Sequence, residues 1–398
     1  MNKFDYVIVG GGLAGASAIQ GIREHDSRGS ILLIGEEMHP PYNRPPLSKA
    51  LWFGKSKVED IFIHPQRYYE EHGVTLALGA RVSTLDSGEK SVTFGNGSVY
   101  RFGKLLLATG TRPRRIAIPG AEIDGINYFR TLDDYLGMQG DTQVNKSALI
   151  IGGGFIGSEL AAALNINLEV TMIFPSATLC RRVFPEALGL EVQRHFQDRG
   201  IRVIPSDTAA SISKKGSTFR TETVSGKSLE SDLVIIGIGV EPCIELARDA
   251  GLEVGNGIVV NEFLESSHPD IYAAGDNAFS PYRALGKSMR IEHWDNALVQ
   301  GRWAGGNMAG AHEAYTYQPY FFSDLFELGY EATGEVDTSL EVFADWQKEN
   351  QTGVIYYLRD GRVRGVMMCN LWGKLDMARE LIRKGAQMTP ESLRGAIR

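Results

Sequence analysis

Runs of largely apolar residues recur along this chain between longer stretches of mixed character. They cover 6–9, 31–34, 104–110, 147–151, 170–174 and 233–239, and the runs at 104–110 and 233–239 end in glycine. Strands buried on both faces read as near-continuous apolar runs, so these segments predict parallel strands rather than half-exposed ones. Helical spacing follows the first run from Ala14 and reappears at 158–167 and 185–200. Strand, helix, strand in succession is the grammar of an α/β fold. Alternating segments at 75–78, 82–85 and 91–94, with a Gly95-Asn-Gly97 turn, predict a small β-meander inserted into the first α/β unit. The proline- and glycine-rich stretch 112–120 reads as a linker. A second stretch repeats the order of apolar strand, glycines, helix, meander and closing strand, which points to an internal duplication. Strands at 258–260 and 271–276 and a helix at 293–309 then return to the first unit. From about 318 the composition changes. A strand at 326–333, a hairpin of 354–358 and 363–368 about Arg359-Asp-Gly-Arg362, and an amphipathic helix at 375–386 predict a small α+β domain. The domains are therefore expected at 1–113 with 247–317, at 114–246 and at 318–398.

The residues that end the strands carry the chemistry. Gly10, Gly12 and Gly15 form a G-x-G-x-x-G turn between strand and helix. In such a turn the first glycine permits the tight bend, the second admits a pyrophosphate, and the third lets helix and strand pack closely. The helix N-terminus adds free N–H groups and about half a positive charge. Glu36 follows the second strand about twenty residues on, where a ribose hydroxyl needs an acceptor. Gly152, Gly154 and Gly157 repeat the motif. Two fingerprints predict two dinucleotides, one a flavin held permanently and the other a nicotinamide that comes and goes. A proline-stiffened loop after Glu36 leads into a short helix expected at 47–51. Lys49 there either aims at a bound cofactor or is a solvated turn lysine. Asp276 stands behind a glycine at a strand end, where ligands collect in open α/β sheets.

Composition narrows the classes. The apolar share is 43%, the charged share 22% and the net charge −7, which disfavours nucleic-acid and anionic-membrane binding. No apolar run is long enough to span a bilayer. With a strand expected from residue 4 there is no room for a targeting peptide, so the expected location is cytoplasmic. Cys180, Cys243 and Cys369 are far apart and form no C-x-x-C, so no metal site, iron–sulfur site or disulfide framework is expected.

Several motifs in order carry a resemblance: Gly10 to Gly15, Tyr42-Asn-Arg-Pro-Pro-Leu-Ser-Lys49, Ala108-Thr-Gly110, Gly152-Gly-Gly-Phe-Ile-Gly-Ser-Glu159, Gly237-Ile-Gly-Val-Glu-Pro242, Ala274-Gly-Asp276, Ile291-Glu-His-Trp-Asp-Asn-Ala and Ser323-Asp324. Over nearly its whole length the chain resembles FAD-dependent pyridine-nucleotide oxidoreductases. Within them it is most similar to the ferredoxin-reductase and apoptosis-inducing-factor branch, which holds putidaredoxin reductase and dioxygenase ferredoxin reductases. The resemblance implies two Rossmann-like domains of the glutathione-reductase type plus a small C-terminal α+β domain.

The resemblance also implies residue roles. Gly10, Gly12, Gly15, Glu36 and Arg44 would hold the adenosine and pyrophosphate of FAD. Ala108, Thr109, Gly110 and Asp276 would also lie at FAD, Asp276 accepting from the ribityl chain. Gly152, Gly154, Gly157 and Gly239 would serve the nicotinamide dinucleotide. Lys49 would lie beside flavin N5, paired with Glu159. Phe155 would be an aromatic gate, or else a core residue. His293 and Trp294 would begin a helix facing the flavin, and Phe322 would stand where relatives often carry a tryptophan lid. Because no redox cysteines follow Glu36, electrons would pass to an external ferredoxin or rubredoxin-like carrier. Pro175-Ser176 stands where NADH-preferring relatives usually have Glu, while Arg181 and Arg182 follow, so NADH and NADPH stay open. Lys374, Arg379, Arg383, Lys384, Arg394 and Arg398 offer a basic surface for an acidic ferredoxin or form a solvated helix face. Rival readings are a redox-linked NADH-binding protein like apoptosis-inducing factor and an NAD(P)H oxidase. Monomer and homodimer are both open.

Overall fold

The computed structural model describes residues 2–398. The chain divides into two compact units. One takes the residues up to Asn43, Val58–Arg112 and Pro242–Phe321; the other takes Arg44–Lys57, Pro113–Glu241 and Phe322–Arg398.

The first unit is built on a seven-stranded sheet. Asn2–Val9 lies between Ile31–Ile34 and Val99–Leu107, parallel to both. Ile271–Ala273 pairs parallel with the far side of Val99–Leu107, so a segment from late in the chain completes the sheet. Ile8, Leu33 and Leu106 are fully buried. Each such aliphatic side chain is worth about 1.5–3 kcal/mol of burial. The expected meander is corrected in one strand. Val74–Ala77 pairs parallel with Ile31–Ile34 at the sheet edge, and only Val82–Asp86, Ser91–Phe94 and Val99–Leu107 run antiparallel. Helix Leu13–His25 packs against helix Trp294–Met308 almost backbone to backbone. A β-carbon on Gly305 would lie 2.1 Å from the Ala18 carbonyl oxygen, and one on Gly301 would lie 2.3 Å from that of Ala14.

The second unit repeats the first in its own five-stranded parallel sheet, ordered Arg202–Pro205, Glu169–Phe174, Ser147–Ile151, Leu233–Ile236, Ile126–Tyr128. An antiparallel sheet of Ala209–Lys215, Thr218–Thr223 and Ser228–Ser231 lies against this core through Ile212, Phe219 and Leu229. The same unit includes the antiparallel strands Leu328–Gly334, Arg362–Cys369, Thr352–Arg359 and Glu341–Lys348, paired in that order, with helix Leu375–Lys384 following them. The expected hairpin is present as Thr352–Arg359 and Arg362–Cys369.

Three differences are local. Helix Leu132–Val144 had not been expected; it opens on a capping box in which Thr131 and Asp134 exchange bonds. Its buried positions, Leu132, Tyr135, Met138 and Thr142, are too sparse to print a strong apolar period. The helix expected at 47–51 is instead a 3-10 turn, Pro45–Ser48, which leaves Lys49 just past its end. Within the expected linker, Thr111–Pro113 is a short strand.

Candidate functional site

In the first unit the glycine turn is shaped by close backbone approach. Gly10 has φ +132°, and a β-carbon there would lie 2.0 Å from the Ala108 carbonyl oxygen. Gly15 is equally crowded, 2.2 Å from the Gly10 carbonyl, whereas a β-carbon on Gly12 meets nothing within 4 Å. Gly12 is also the N-cap of helix Leu13–His25 and supplies no side-chain cap, so the helix amides face this open space. Such a cradle fits a pyrophosphate. Glu36 stands two residues past Ile34, whose carbonyl accepts the Gly10 N–H at 2.9 Å. It is exposed and lies 3.6 Å from Arg81.

Across the same sheet end, Thr109 donates to the Cys243 carbonyl at 2.6 Å and accepts from the buried Asn277 at 2.9 Å. The Gly110 carbonyl accepts the Cys243 N–H. Thr111 donates to the Asp276 carboxylate at 3.2 Å. His293 stands at the N-cap position of helix Trp294–Met308 without a side-chain cap bond and stacks on Phe321 at 4.3 Å, while the Trp294 indole donates to Asn43 at 2.8 Å. Burial holds His293 well below its usual range, at about 4, against the pull of nearby Asp276.

The second unit reproduces the turn. The Gly152 N–H donates to Ile173 at 2.9 Å. β-Carbons on Gly152 and Gly157 would lie 2.1 Å from the Gly237 carbonyl and 2.3 Å from that of Gly152, while one on Gly154 meets nothing. Gly239 follows the closing strand at φ +99°. Helix Phe155–Leu164 starts here and carries Glu159 inward, only 9% exposed.

Lys49 reaches Glu159 Oε1 at 3.1 Å. Ser323 donates to the same oxygen at 2.5 Å and accepts from Lys49 at 3.0 Å, and Ser48 donates to Oε2 at 2.6 Å. The Lys49 ammonium also sits 5.6 Å from the centre of the exposed Phe322 ring. Phe155, half-buried, lies 6.3 Å from the Tyr330 ring. Burial raises the Tyr330 hydroxyl far above its ordinary range. Arg44 belongs to this unit and donates to the Arg130 carbonyl at 2.7 Å. Residue-by-residue reading assigned no role to Ser48, Ser323, Asn277 or Thr111. Ser48 and Ser323 lay inside quoted motifs; Asn277 and Thr111 stand beside Asp276 and Gly110.

Cys180 and Cys369 are free and buried. Burial pushes each thiol up to about 12. Among the described residues there is no cluster of three or more metal-ligating side chains. Nor is any helix long and apolar enough to cross a membrane. In the tail, Arg379 pairs with Asp376, and Arg383 and Lys384 share Glu380, so these cations face acids on their own helix.

Residues 4–301 match the family described as pyridine nucleotide-disulphide oxidoreductase. The chain belongs to this family. Residues 304–352 match the C-terminal, mitochondrion-associated domain of apoptosis-inducing factor. Apoptosis-inducing factor 1 of Dictyostelium discoideum is 32% identical over 421 residues, covering 96% of this chain and 79% of that protein. The ferredoxin–NAD(+) reductase component of the anthranilate 1,2-dioxygenase system of Burkholderia cepacia is 32% identical, covering 99% of this chain and 97% of that one. The solved covalent putidaredoxin reductase–putidaredoxin complex superposes with a TM-score of 0.90 at 28% identity, over 98% of this chain and 95% of that one. This pyridine nucleotide-disulphide oxidoreductase is thus an FAD- and NAD(P)H-dependent enzyme. Its two uncapped, open glycine turns fit two dinucleotides.

Proposed function

We propose that this chain is an NAD(P)H-dependent ferredoxin reductase of the cytoplasm. When bound, the flavin takes up hydride from nicotinamide and releases electrons singly to a ferredoxin- or rubredoxin-type protein. The observation that carries the reading is the buried pair of Lys49 and Glu159, fastened by Ser48 and Ser323, in a chain with no cysteine pair to relay electrons. The pair holds a cation at a fixed place with its countercharge beside it, a preorganised arrangement that suits a redox site. In this reading Gly10, Gly12, Gly15 and Glu36 hold FAD, with Ala108, Thr109, Gly110, Asp276, His293 and Trp294 along its length. Gly152, Gly154, Gly157 and Gly239 hold the nicotinamide dinucleotide, and Phe155 yields to the incoming ring. The domains at 1–113 with 247–317, at 114–246 and at 318–398 divide the work as FAD-binding, nucleotide-binding and C-terminal parts. Names of relatives support the acceptor: one is a ferredoxin–NAD(+) reductase component, and one solved complex contains putidaredoxin.

Anaerobic stopped-flow mixing with NADH or NADPH, then with oxidised ferredoxin, tests the proposal. Fast bleaching followed by fast reoxidation supports it. Fast bleaching with indifference to ferredoxin and rubredoxin overturns the acceptor. The match of residues 304–352 favours a second reading, a redox-linked NADH-binding protein. Slow bleaching with NADH-driven self-association is its signature.

A further inference from the structure

The two glycine turns differ at the ribose. Gly10 and Gly152 donate to Ile34 and Ile173 in the same register, both at 2.9 Å. Two residues on, the first unit has Glu36 and the second has Pro175. A carboxylate at that place accepts from a 2′-hydroxyl and repels a 2′-phosphate. The second turn therefore has no repelling charge there.

The loop leaving Phe174 then doubles back. The Cys180 N–H donates to the Gly153 carbonyl at 2.8 Å, with Cys180 at φ +49°. Arg181 and Arg182 follow directly, one and two positions past this contact with the glycine turn. Both are fastened to the segment 337–338. Thr338 donates its N–H to the Arg182 carbonyl at 2.9 Å and its hydroxyl to the Arg181 carbonyl at 2.7 Å. These two bonds fix the loop backbone. The side chains are tied separately: Arg181 Nη1 donates to the Thr338 hydroxyl and Arg182 Nε to Asp337, each at 3.2 Å. The Arg182 bond is single, and its side chain is 87% exposed. A single contact with one partner this exposed holds weakly. A phosphate dianion engaging a guanidinium in two bonds competes well against one such contact.

We infer that Asp337 sets the choice between NADH and NADPH by drawing Arg182 away from the adenosine 2′ position. The inference rests on a nicotinamide dinucleotide binding at the Gly152 turn, and not on the identity of the electron acceptor. Thr338 holds the loop where either arginine serves, and Asp337 occupies the guanidinium. Asp337 is a positioning residue in this scheme; the arginines touch the phosphate.

Calorimetric titration of the purified flavoprotein with adenosine 2′,5′-bisphosphate and with AMP reads the effect without turnover. The measured quantity is the ratio of the two affinities, so general damage to the fold moves both and leaves the ratio in place. Asp337→Asn is expected to raise the preference for the bisphosphate about fivefold, the scale of one exposed ion pair. Arg182→Ala is expected to lower it about tenfold, the scale of one charge-assisted phosphate contact. The ratio of kcat/KM for NADPH over NADH should move the same way in each variant. An unchanged bisphosphate-to-AMP ratio in either variant overturns the inference. Ratios shifted as expected in both variants, together with failed ferredoxin reduction, would instead fault the proposed acceptor alone.

Discussion

Burying a carboxylate costs several kcal/mol unless partners replace its water. At Glu159 both oxygens are served: Oε1 by Lys49 and Ser323, Oε2 by Ser48. Ser323→Ala removes one donor at an oxygen that keeps its lysine. We expect a loss of about 1.5–3 kcal/mol, the range for bonds to charged groups, read as a lowered midpoint in urea. Ser48→Ala leaves Oε2 with neither of the partners that serve Oε1 and should cost at least as much. His293 gives a pH signature. Its folded value near 4 lies below the ordinary 6.5 because burial disfavours the cation. Between those values the unfolded chain binds a proton that the folded chain refuses. Its contribution is therefore fully present above pH 6.5 and is lost as the pH falls toward 4. Denaturation midpoints across that window should drop in the parent chain, and His293→Gln should flatten that part of the slope.

Among the elements, the glycines of the first unit separate binding from folding. A side chain on Gly12 enters open space, while one on Gly15 strikes the Gly10 carbonyl. Gly12→Val should fold with an unchanged far-UV spectrum yet purify with little flavin, measured as the ratio of visible to ultraviolet absorbance. Gly15→Val should lose the fold itself. The packed helices Leu13–His25 and Trp294–Met308 give a second case. Gly305→Ala places a methyl 2.1 Å from the Ala18 carbonyl. The helices must part to admit it, and overpacking of this kind costs about 1–3 kcal/mol. A lowered thermal midpoint checks it; an unchanged one would mean the helices slide freely.

For the whole molecule, the electron path is the question that the cysteines answer. None of the three is in a disulfide, and burial keeps the Cys180 and Cys369 thiols protonated at any physiological pH. Cys180 has a structural use: its N–H anchors the loop after Phe174 to Gly153, and its sulfur lies 3.8 Å from the Ser158 hydroxyl. A chain with Cys180→Ser, Cys243→Ser and Cys369→Ser is expected to keep its rate of flavin reduction by NAD(P)H and its electron delivery, apart from some loss of stability. A collapse of delivery with normal flavin reduction would reveal a thiol relay and exclude direct transfer.

Glycine spacing and largely apolar runs were enough to place both glycine turns and their strands, because tight turns and doubly buried strands each demand residues that few other structures tolerate. Glu36 follows the strand Ile31–Ile34 as expected, whereas the strand expected at 271–276 ends at Ala273 and leaves Asp276 in the loop beyond it. Partnerships across the sequence were not legible. Val74–Ala77 has the same local pattern as a meander strand, and only its pairing with Ile31–Ile34 makes it parallel. Helix Leu132–Val144 buries too few residues to show a period, although its Thr131 and Asp134 cap could have announced it. That Ser48 and Ser323, hundreds of residues apart, grip one carboxylate, and that Asp337 and Thr338 fasten Arg181 and Arg182, is decided by tertiary packing. Hydrogen bonds between distant segments depend on positions in space, and a hydroxyl or carboxylate leaves no periodic trace along the chain.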